Sequence, residues 1–253
     1  IVLPSGDTII SVLKINVLDA TSPFNQPVAN TDIATTLVNT SVTLHTLAND
    51  YSGNSGVLLD SSTVEVVVPP SNGSYNIDPI TGDITYTPNP GFIGNDTLIY
   101  IVFDENGNVA KAAQIITILP NGIENTTTAA DDYDYTPFNL PTSGNVLIND
   151  TDAEGDDQSV VPQNITTPQG TLVLNADGSY TFTPAIGFSG PVEFPYTIND
   201  DNPNGSATAN ATLHILVEPD PCTIPFTDAS QICIMIETNP NHPIADLDCD
   251  GGG

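Results

Sequence analysis

Apolar and polar residues alternate along much of this chain. In ANATLHILV (209–217), Ala211, Leu213, Ile215 and Val217 fall on one face and Asn210, Thr212 and His214 on the other. That period of two marks a half-buried strand. The segment ITYTPNPGFIGNDTLIYIVFD (84–104) reads as strand, loop, strand. Thr, Val and Ile are abundant, 22 prolines and 19 glycines cut the runs short, and no stretch keeps a helical period. The pattern predicts an all-β chain.

An internal repeat gives the organisation. Residues 84–104 align with YTFTPAIGFSGPVEFPYTIND (180–200) at a constant offset of 96, pairing Thr85 with Thr181, Gly91 with Gly187, Phe92 with Phe188, Tyr100 with Tyr196 and Asp104 with Asp200. Upstream the offset is 100: Asp32 matches Asp132, and Asn49-Asp50 matches Asn149-Asp150. A unit of about 90 residues is the size of an immunoglobulin-like sandwich. The reading is therefore tandem immunoglobulin-like β-sandwiches: 1–19 the end of a preceding repeat, 28–119 one repeat, 120–129 a polar linker, 130–217 a second repeat, and 218–253 a truncated cysteine-bearing segment. Ile1 opens directly in a strand pattern with no signal peptide, so the chain is read as a piece of a longer protein. Gly91 and Gly187 are expected to take positive φ in a turn, Phe92 and Phe188 to plug a sandwich end, and Tyr100 and Tyr196 to be core or corner aromatics.

Charge narrows the function. There are 31 acidic residues against two basic ones, Lys14 and Lys111, for a formal net charge of -29. Phosphate binding needs cationic groups, so nucleic acid is excluded as a partner, and anionic membranes are disfavoured for the same reason. No apolar run is long enough for a membrane span, so no direct membrane insertion is expected. Such acidity confers solubility, but here the acids cluster in short motifs, which points to divalent cations.

The strongest motif is NDTDAEGDD (149–157). It sets Asp150, Asp152, Glu154 and Asp156 at alternate positions, with Gly155 for a sharp turn. Oxygen-only ligands in a tight loop suit Ca2+ over zinc or copper; the plainer alternative is a solvated acidic turn. The counterpart loop, NDYSGNSG (49–56), replaces Asp152, Glu154 and Asp156 with Ser52, Asn54 and Gly56. It is expected to bind weakly or not at all. A second group would gather where repeats meet: Asp131, Asp132 and Asp134 from AADDYDY, with Asp104 and Glu105 from the first repeat. Asp131 and Asp132 could equally keep an edge strand soluble. The third motif, DLDCDGGG (246–253), places Asp246, Asp248 and Asp250 ahead of Gly251. It opens like an EF-hand loop but stops at position eight and follows two prolines, so a thrombospondin type 3-like calcium loop fits better.

Catalysis finds little support. His45, His214 and His242 are scattered, tryptophan is absent, and no G-x-S-x-G or H-E-x-x-H pattern occurs. The three cysteines, Cys222, Cys233 and Cys249, all lie near the end. A segment too small to build its own core suggests a disulfide staple, most simply Cys222 with Cys233, in an oxidising compartment.

The pattern DD-Y…NVLINDTDAEGD…LNADGSYTFTPAIGFSG…YTIND resembles the bacterial cadherin-like, VCBS-type repeats of large surface adhesins, covering the second repeat well and the first less well. The resemblance implies sandwiches strung end to end with calcium at loops and junctions. Carried over, its metal positions fall on Asp131, Asp132, Asp150, Asp152, Asp156 and Asp200. The ending, CTIPFTDASQICIMIETNPNHPIADLDCDGGG, is similar to segments of giant surface proteins of gliding Bacteroidetes exported by the type IX system. Together these imply a non-catalytic, calcium-stiffened adhesin stalk at the bacterial cell surface, serving attachment or gliding motility. Its partners would be neighbouring repeats of the same chain and a surface polysaccharide or protein target. An accessory region of a secreted hydrolase, or a glycan-binding module, is the alternative. In this scheme calcium aligns the two repeats, and without it the linker is a hinge.

Overall fold

A computed structural model describes residues 26–53, 57–122, 125–202 and 206–220. The expected strands of a preceding repeat, the three cysteines and Asp246, Asp248 and Asp250 lie outside the described residues. Among the described residues every regular element is a strand.

The first sandwich holds β1 (Asp32–Leu37), β2 (Val42–Leu44), β3 (Leu59–Val68), β4 (Gly73–Ile77), β5 (Ile84–Pro88), β6 (Gly94–Asp104) and β7 (Val109–Leu119). One sheet has the order β1-β7-β6-β3 and the other β2-β5-β4. The second holds β8 (Thr127–Thr128), β9 (Asp132–Thr136), β10 (Thr142–Asn145), β11 (Thr151–Asp152), β12 (Gln158–Val160), β13 (Gln163–Thr167), β14 (Gly170–Leu174), β15 (Ser179–Pro184), β16 (Gly190–Asp200) and β17 (Thr208–Val217). Its sheets are β12-β16-β17-β9 and β10-β15-β14-β13, with β11-β8 as a two-stranded ribbon. In each unit the opening strand pairs in parallel with the closing one, β1 with β7 and β9 with β17.

The period-two pattern builds the cores and also aims the site. Along β16, Val192, Phe194, Tyr196 and Ile198 are buried between exposed or half-buried neighbours, and the next inward position is Asp200. Along β6 the series Leu98, Tyr100, Val102 ends in the same way on Asp104. The alternation that buries the apolar side chains thus delivers one carboxylate to the end of each sandwich. Full burial of each large apolar side chain is worth about 1.5–3 kcal/mol, enough to hold that carboxylate in place. The shared turns match as closely: Gly91 and Gly187 have φ near +77° and +82°, and each donates its N–H to an asparagine Oδ1, Asn39 at 2.9 Å and Asn139 at 2.8 Å.

The two sandwiches make direct contact. The backbone N–H of Thr35 donates to Thr151 Oγ1 at 3.0 Å, and the hydroxyls of Thr35 and Thr128 lie 2.8 Å apart. The Tyr51 ring meets Tyr135 with centroids 5.7 Å apart. Under the offset of 100, Thr35 corresponds to Tyr135 and Tyr51 to Thr151, so the contacts are reciprocal, as about a local two-fold axis. A small cavity between the units is lined by residues that include Asp32, Leu44, His45, Ile148 and Asp150. Thr127 and Thr128 pair as a strand with Asp152 and Thr151, which seats the start of the second sandwich against β1.

Candidate metal centre

The site is assembled at the end of the second sandwich where β16 delivers Asp200. Opposite it, β11 runs into a tight loop. Asp152 Oδ1 accepts the N–H groups of Glu154, Gly155 and Asp156 at 3.0, 2.8 and 3.1 Å, an aspartate-capped turn. Gly155 completes the reversal at φ +84°. One oxygen of Asp152 is thereby pinned to backbone, while Oδ2 is buried with no partner. Burial pushes the Asp152 carboxyl up; the three N–H groups oppose this and the Glu154 charge adds to it.

Asp200 Oδ1 accepts from Ala207 N at 2.9 Å and its Oδ2 from Asn125 Nδ2 at 2.6 Å. Asp156 Oδ2 accepts from Asn202 Nδ2 at 2.7 Å, and the same amide group reaches Asn125 Oδ1 at 3.0 Å. One oxygen each from Asp152, Asp156 and Asp200 lies within 4.8 Å of the other two. Three carboxylates that close repel unless neutralised. The donor set is oxygen throughout, as calcium requires. The buried, unpartnered Oδ2 of Asp152 is the observation that this group fits a cation, since such an acceptor left alone costs about 1–3 kcal/mol.

The other sequence-predicted residues do different work. Asp132 is buried and accepts the Tyr196 hydroxyl at 2.7 Å. Asp150 Oδ1 accepts Ala130 N at 2.8 Å, and its Oδ2 is buried without a partner. Burial pushes Asp132 up to about 8, opposed by the Tyr196 bond and reinforced by the Asp150 charge; burial also pushes Asp150 up to about 7. The first repeat carries the same acid pair with the tyrosine on the other member. Tyr100 donates to Asp50 Oδ2 at 2.8 Å, and Asp32 Oδ2 accepts from Gln114 Nε2 at 2.9 Å. Burial pushes Asp50 up to about 7 and, together with the Asp50 charge, pushes Asp32 well above the usual range.

Asp131 is half exposed, accepts Thr212 N at 2.8 Å and sits 3.8 Å from His214 Nε2. Glu154 Oε2 accepts both the N–H and the hydroxyl of Thr126 at 3.1 Å. Asp104 closes its own hairpin, accepting Asn106 N, Asn108 N and Asn108 Nδ2. Sequence reading missed Asn125 and Asn202, which together bridge Asp200 and Asp156. Amides carry no charge to mark them. The available signal was the longer turn DDNPNGSA (200–207) where the first repeat has DENGN (104–108).

Two paired-sheet sandwiches in tandem, one with a carboxylate-lined end, place the chain among tandem β-sandwich repeats. Residues 25–117 match the family model of the bacterial Ig domain and residues 123–219 that of the bacterial cadherin-like domain, so the chain carries an Ig-like repeat followed by a cadherin-like repeat. Domains of these kinds are typically non-catalytic and extracellular, and cadherin-like domains generally bind calcium. A search of curated proteins returned no match. Among solved structures, human mucin-like protocadherin EC1-2 is 16% identical at TM-score 0.30, covering 78% of this chain and 100% of that one. An endo-fucoidan hydrolase of glycoside hydrolase family 107 is 14% identical at TM-score 0.29, covering 83% of this chain and 31% of that one. A SusE-like surface-located polysaccharide-binding protein of Bacteroides thetaiotaomicron is 12% identical at TM-score 0.26, covering 77% and 34%. The chain spans about a third of the length of the last two. At these scores the likenesses bear on neither ligand nor activity. Among the described residues no helix is long and apolar enough to cross a membrane.

Proposed function

We propose that this chain is a calcium-binding, non-catalytic repeat region of a secreted bacterial cell-surface adhesin, acting as a spacer in attachment or gliding motility. Asp152, Asp156 and Asp200 would hold the ion at the end of the second repeat. The observation that carries this is the convergence of three carboxylate oxygens around a buried, unpartnered Asp152 Oδ2. A bound Ca2+ supplies the positive charge that lets the three acids stay together, and so stiffens the loop that joins the repeats. The target at the far end of the adhesin is a surface polysaccharide or protein.

Titration calorimetry with calcium on the calcium-stripped chain tests the site. The expected outcome is binding that Asp152→Ala and Asp200→Asn each weaken by at least tenfold. Wild-type protein that takes up no calcium, or both variants binding as tightly as wild type, would remove the site from 151–202.

A further inference from the structure

The first sandwich holds a buried carboxyl oxygen with no hydrogen-bond donor left for it. Asp32, on β1, stands opposite Gln114, on β7, in the parallel ladder that joins the opening strand to the closing one. Both side chains are buried, and Gln114 and the neighbouring Thr46 are fully so. Gln114 Nε2 donates to Asp32 Oδ2 at 2.9 Å and to Thr46 Oγ1 at 3.0 Å, which engages both of its hydrogens. What remains is all acceptor: Asp32 Oδ1, Gln114 Oε1 and Asn49 Oδ1 are each buried without a partner. The Tyr100 hydroxyl and the Asn30 N–H are taken by Asp50. Buried acceptors are rarely left without a donor. At the same register position the second sandwich has Leu213 opposite Asp132, and it has Val146 where the offset of 100 places Thr46. The buried amide at this position is thus a feature of the first repeat.

We infer that Asp32 is held as the neutral acid, its Oδ1 proton donated to Gln114 Oε1, so that a two-bond acid–amide ring clamps the first strand of this repeat to the last. A carboxylic acid donates through one oxygen and accepts through the other, and an amide does both as well. With Nε2 already on Oδ2, the two atoms that complete the ring are the two left unpartnered, and one proton satisfies both. The titratable groups that face Asp32 are Asp50, from the loop after β2, and Tyr100, from β6. His45 and Asp150 line the small cavity beside it, and His45 Nδ1 is engaged by Asp83 at 3.1 Å. Burial, and after it the Asp50 charge, favours the protonated form, while the Gln114 and Asn49 amides oppose it. The folded chain therefore binds this proton more tightly than the unfolded chain does. The clamp is complete at acid pH and is released as pH rises through the folded value, when an ionised Asp32 would face Asp50 and set acceptor against acceptor. The closure of β1 on β7 is then proton-dependent, and it is independent of the carboxylate cluster in the second repeat.

Carbon-detected NMR of the aspartate carboxyl carbons in the full 253-residue chain, assigned through the backbone and recorded in chelator, reads the proton directly. The Asp32 carbon is expected to keep the protonated position at about pH 6, where an ordinary aspartate, titrating near 3.9, is ionised. Asp32→Asn replaces the O–H with an N–H and completes the same ring with no titratable group. Amide hydrogen exchange is expected to show the protection of β1 and β7 falling from about pH 5 to about pH 8 in wild type and holding steady in Asp32→Asn. An Asp32 carbon that titrates with the exposed aspartates overturns the inference, and this reading on the wild-type chain needs no variant to fold. An Asp32 carbon that is ionised at about pH 6 and moves on addition of sodium or calcium overturns it too, by placing a cation where the proton was assigned. A protonated Asp32 whose Asp32→Asn variant loses the protection of β1 and β7 refutes the ring, since the amide should serve in place of the acid.

Discussion

The two repeats solve one structural problem in two ways. Each ends a long strand on an inward carboxylate, Asp104 in the first and Asp200 in the second. In the first, Asp104 is satisfied by its own hairpin through three donors from Asn106 and Asn108, and the neighbouring loop offers Ser52, whose hydroxyl donates to Val57 O. That end is closed by backbone and amide donors. In the second, the turn after Asp200 is longer, and the loop adds Asp152 and Asp156 where the first repeat's sequence has Ser52 and Gly56. Closure by protein donors makes a self-sufficient unit, whereas under the proposed function closure by carboxylates would make a unit whose order depends on a cation. The comparison teaches that repeat copies sharing a core can diverge at one end, one closed by backbone and amide donors and the other by a cluster of carboxylates.

The largest test of this contrast is whether the cores are independent. Phe182, fully buried in the second core, should cost about 3–5 kcal/mol on change to Ala. Chemical denaturation is expected to show the transition of the second repeat shifted and that of the first retained; loss of both would mean the units stand or fall together. Next in size is calcium. At a hundredfold excess over Kd it should add ~2.7 kcal/mol to the second repeat and leave the first unchanged. Asp152→Ala should remove about half of the gain or more, while a first repeat stabilised equally would erase the difference between the repeats.

The buried acid pairs test what the repeats share. A carboxyl whose folded value is raised binds its proton more tightly in the folded chain than in the unfolded one, where aspartate titrates near 3.9. Its contribution is complete below about pH 4 and is lost as pH rises through about 7 for Asp50 and Asp150 and about 8 for Asp132. In chelator, both repeats should therefore lose stability as pH rises from about 5 to about 8, each such carboxyl removing at most about 1.4 kcal/mol per pH unit. Asp50→Asn and Asp132→Asn, each read by urea midpoint, should flatten the dependence in its own repeat. A stability that rises over this interval would contradict the assignment. Smallest is the turn. Asn39 and Asn139 hold positive φ and each accept a glycine N–H, so Asn39→Ala and Asn139→Ala should each cost about 1 kcal/mol, equally in the two repeats, as measured by thermal melting.

The period-two alternation of β6 and β16, the offsets of 96 and 100, and the loss of Asp152 and Asp156 in favour of Ser52 and Gly56 are all local facts. They were legible because a strand's side-chain direction follows from its position alone. On that basis the all-β class, the inward tyrosines Tyr100 and Tyr196, the turn glycines Gly91 and Gly187, and the carboxylate loop could be read without coordinates.

Tertiary structure decided which acids meet. Asp150 and Asp152 are two residues apart in one acidic motif, yet Asp150 turns toward Ala130 and the Asp132–Tyr196 network while Asp152 joins Asp156 and Asp200. Formal charge and spacing rank the two alike; their difference comes from the neighbouring strands that supply or withhold donors. Asn125 entered the site only because the linker folds against it, and the contact between the units is made by threonine and tyrosine side chains from both. Composition and periodicity determined what each segment is, through forces that act along the chain. The meeting of segments far apart in the sequence depends on packing and register between elements, and that part of the site existed only once the chain had folded.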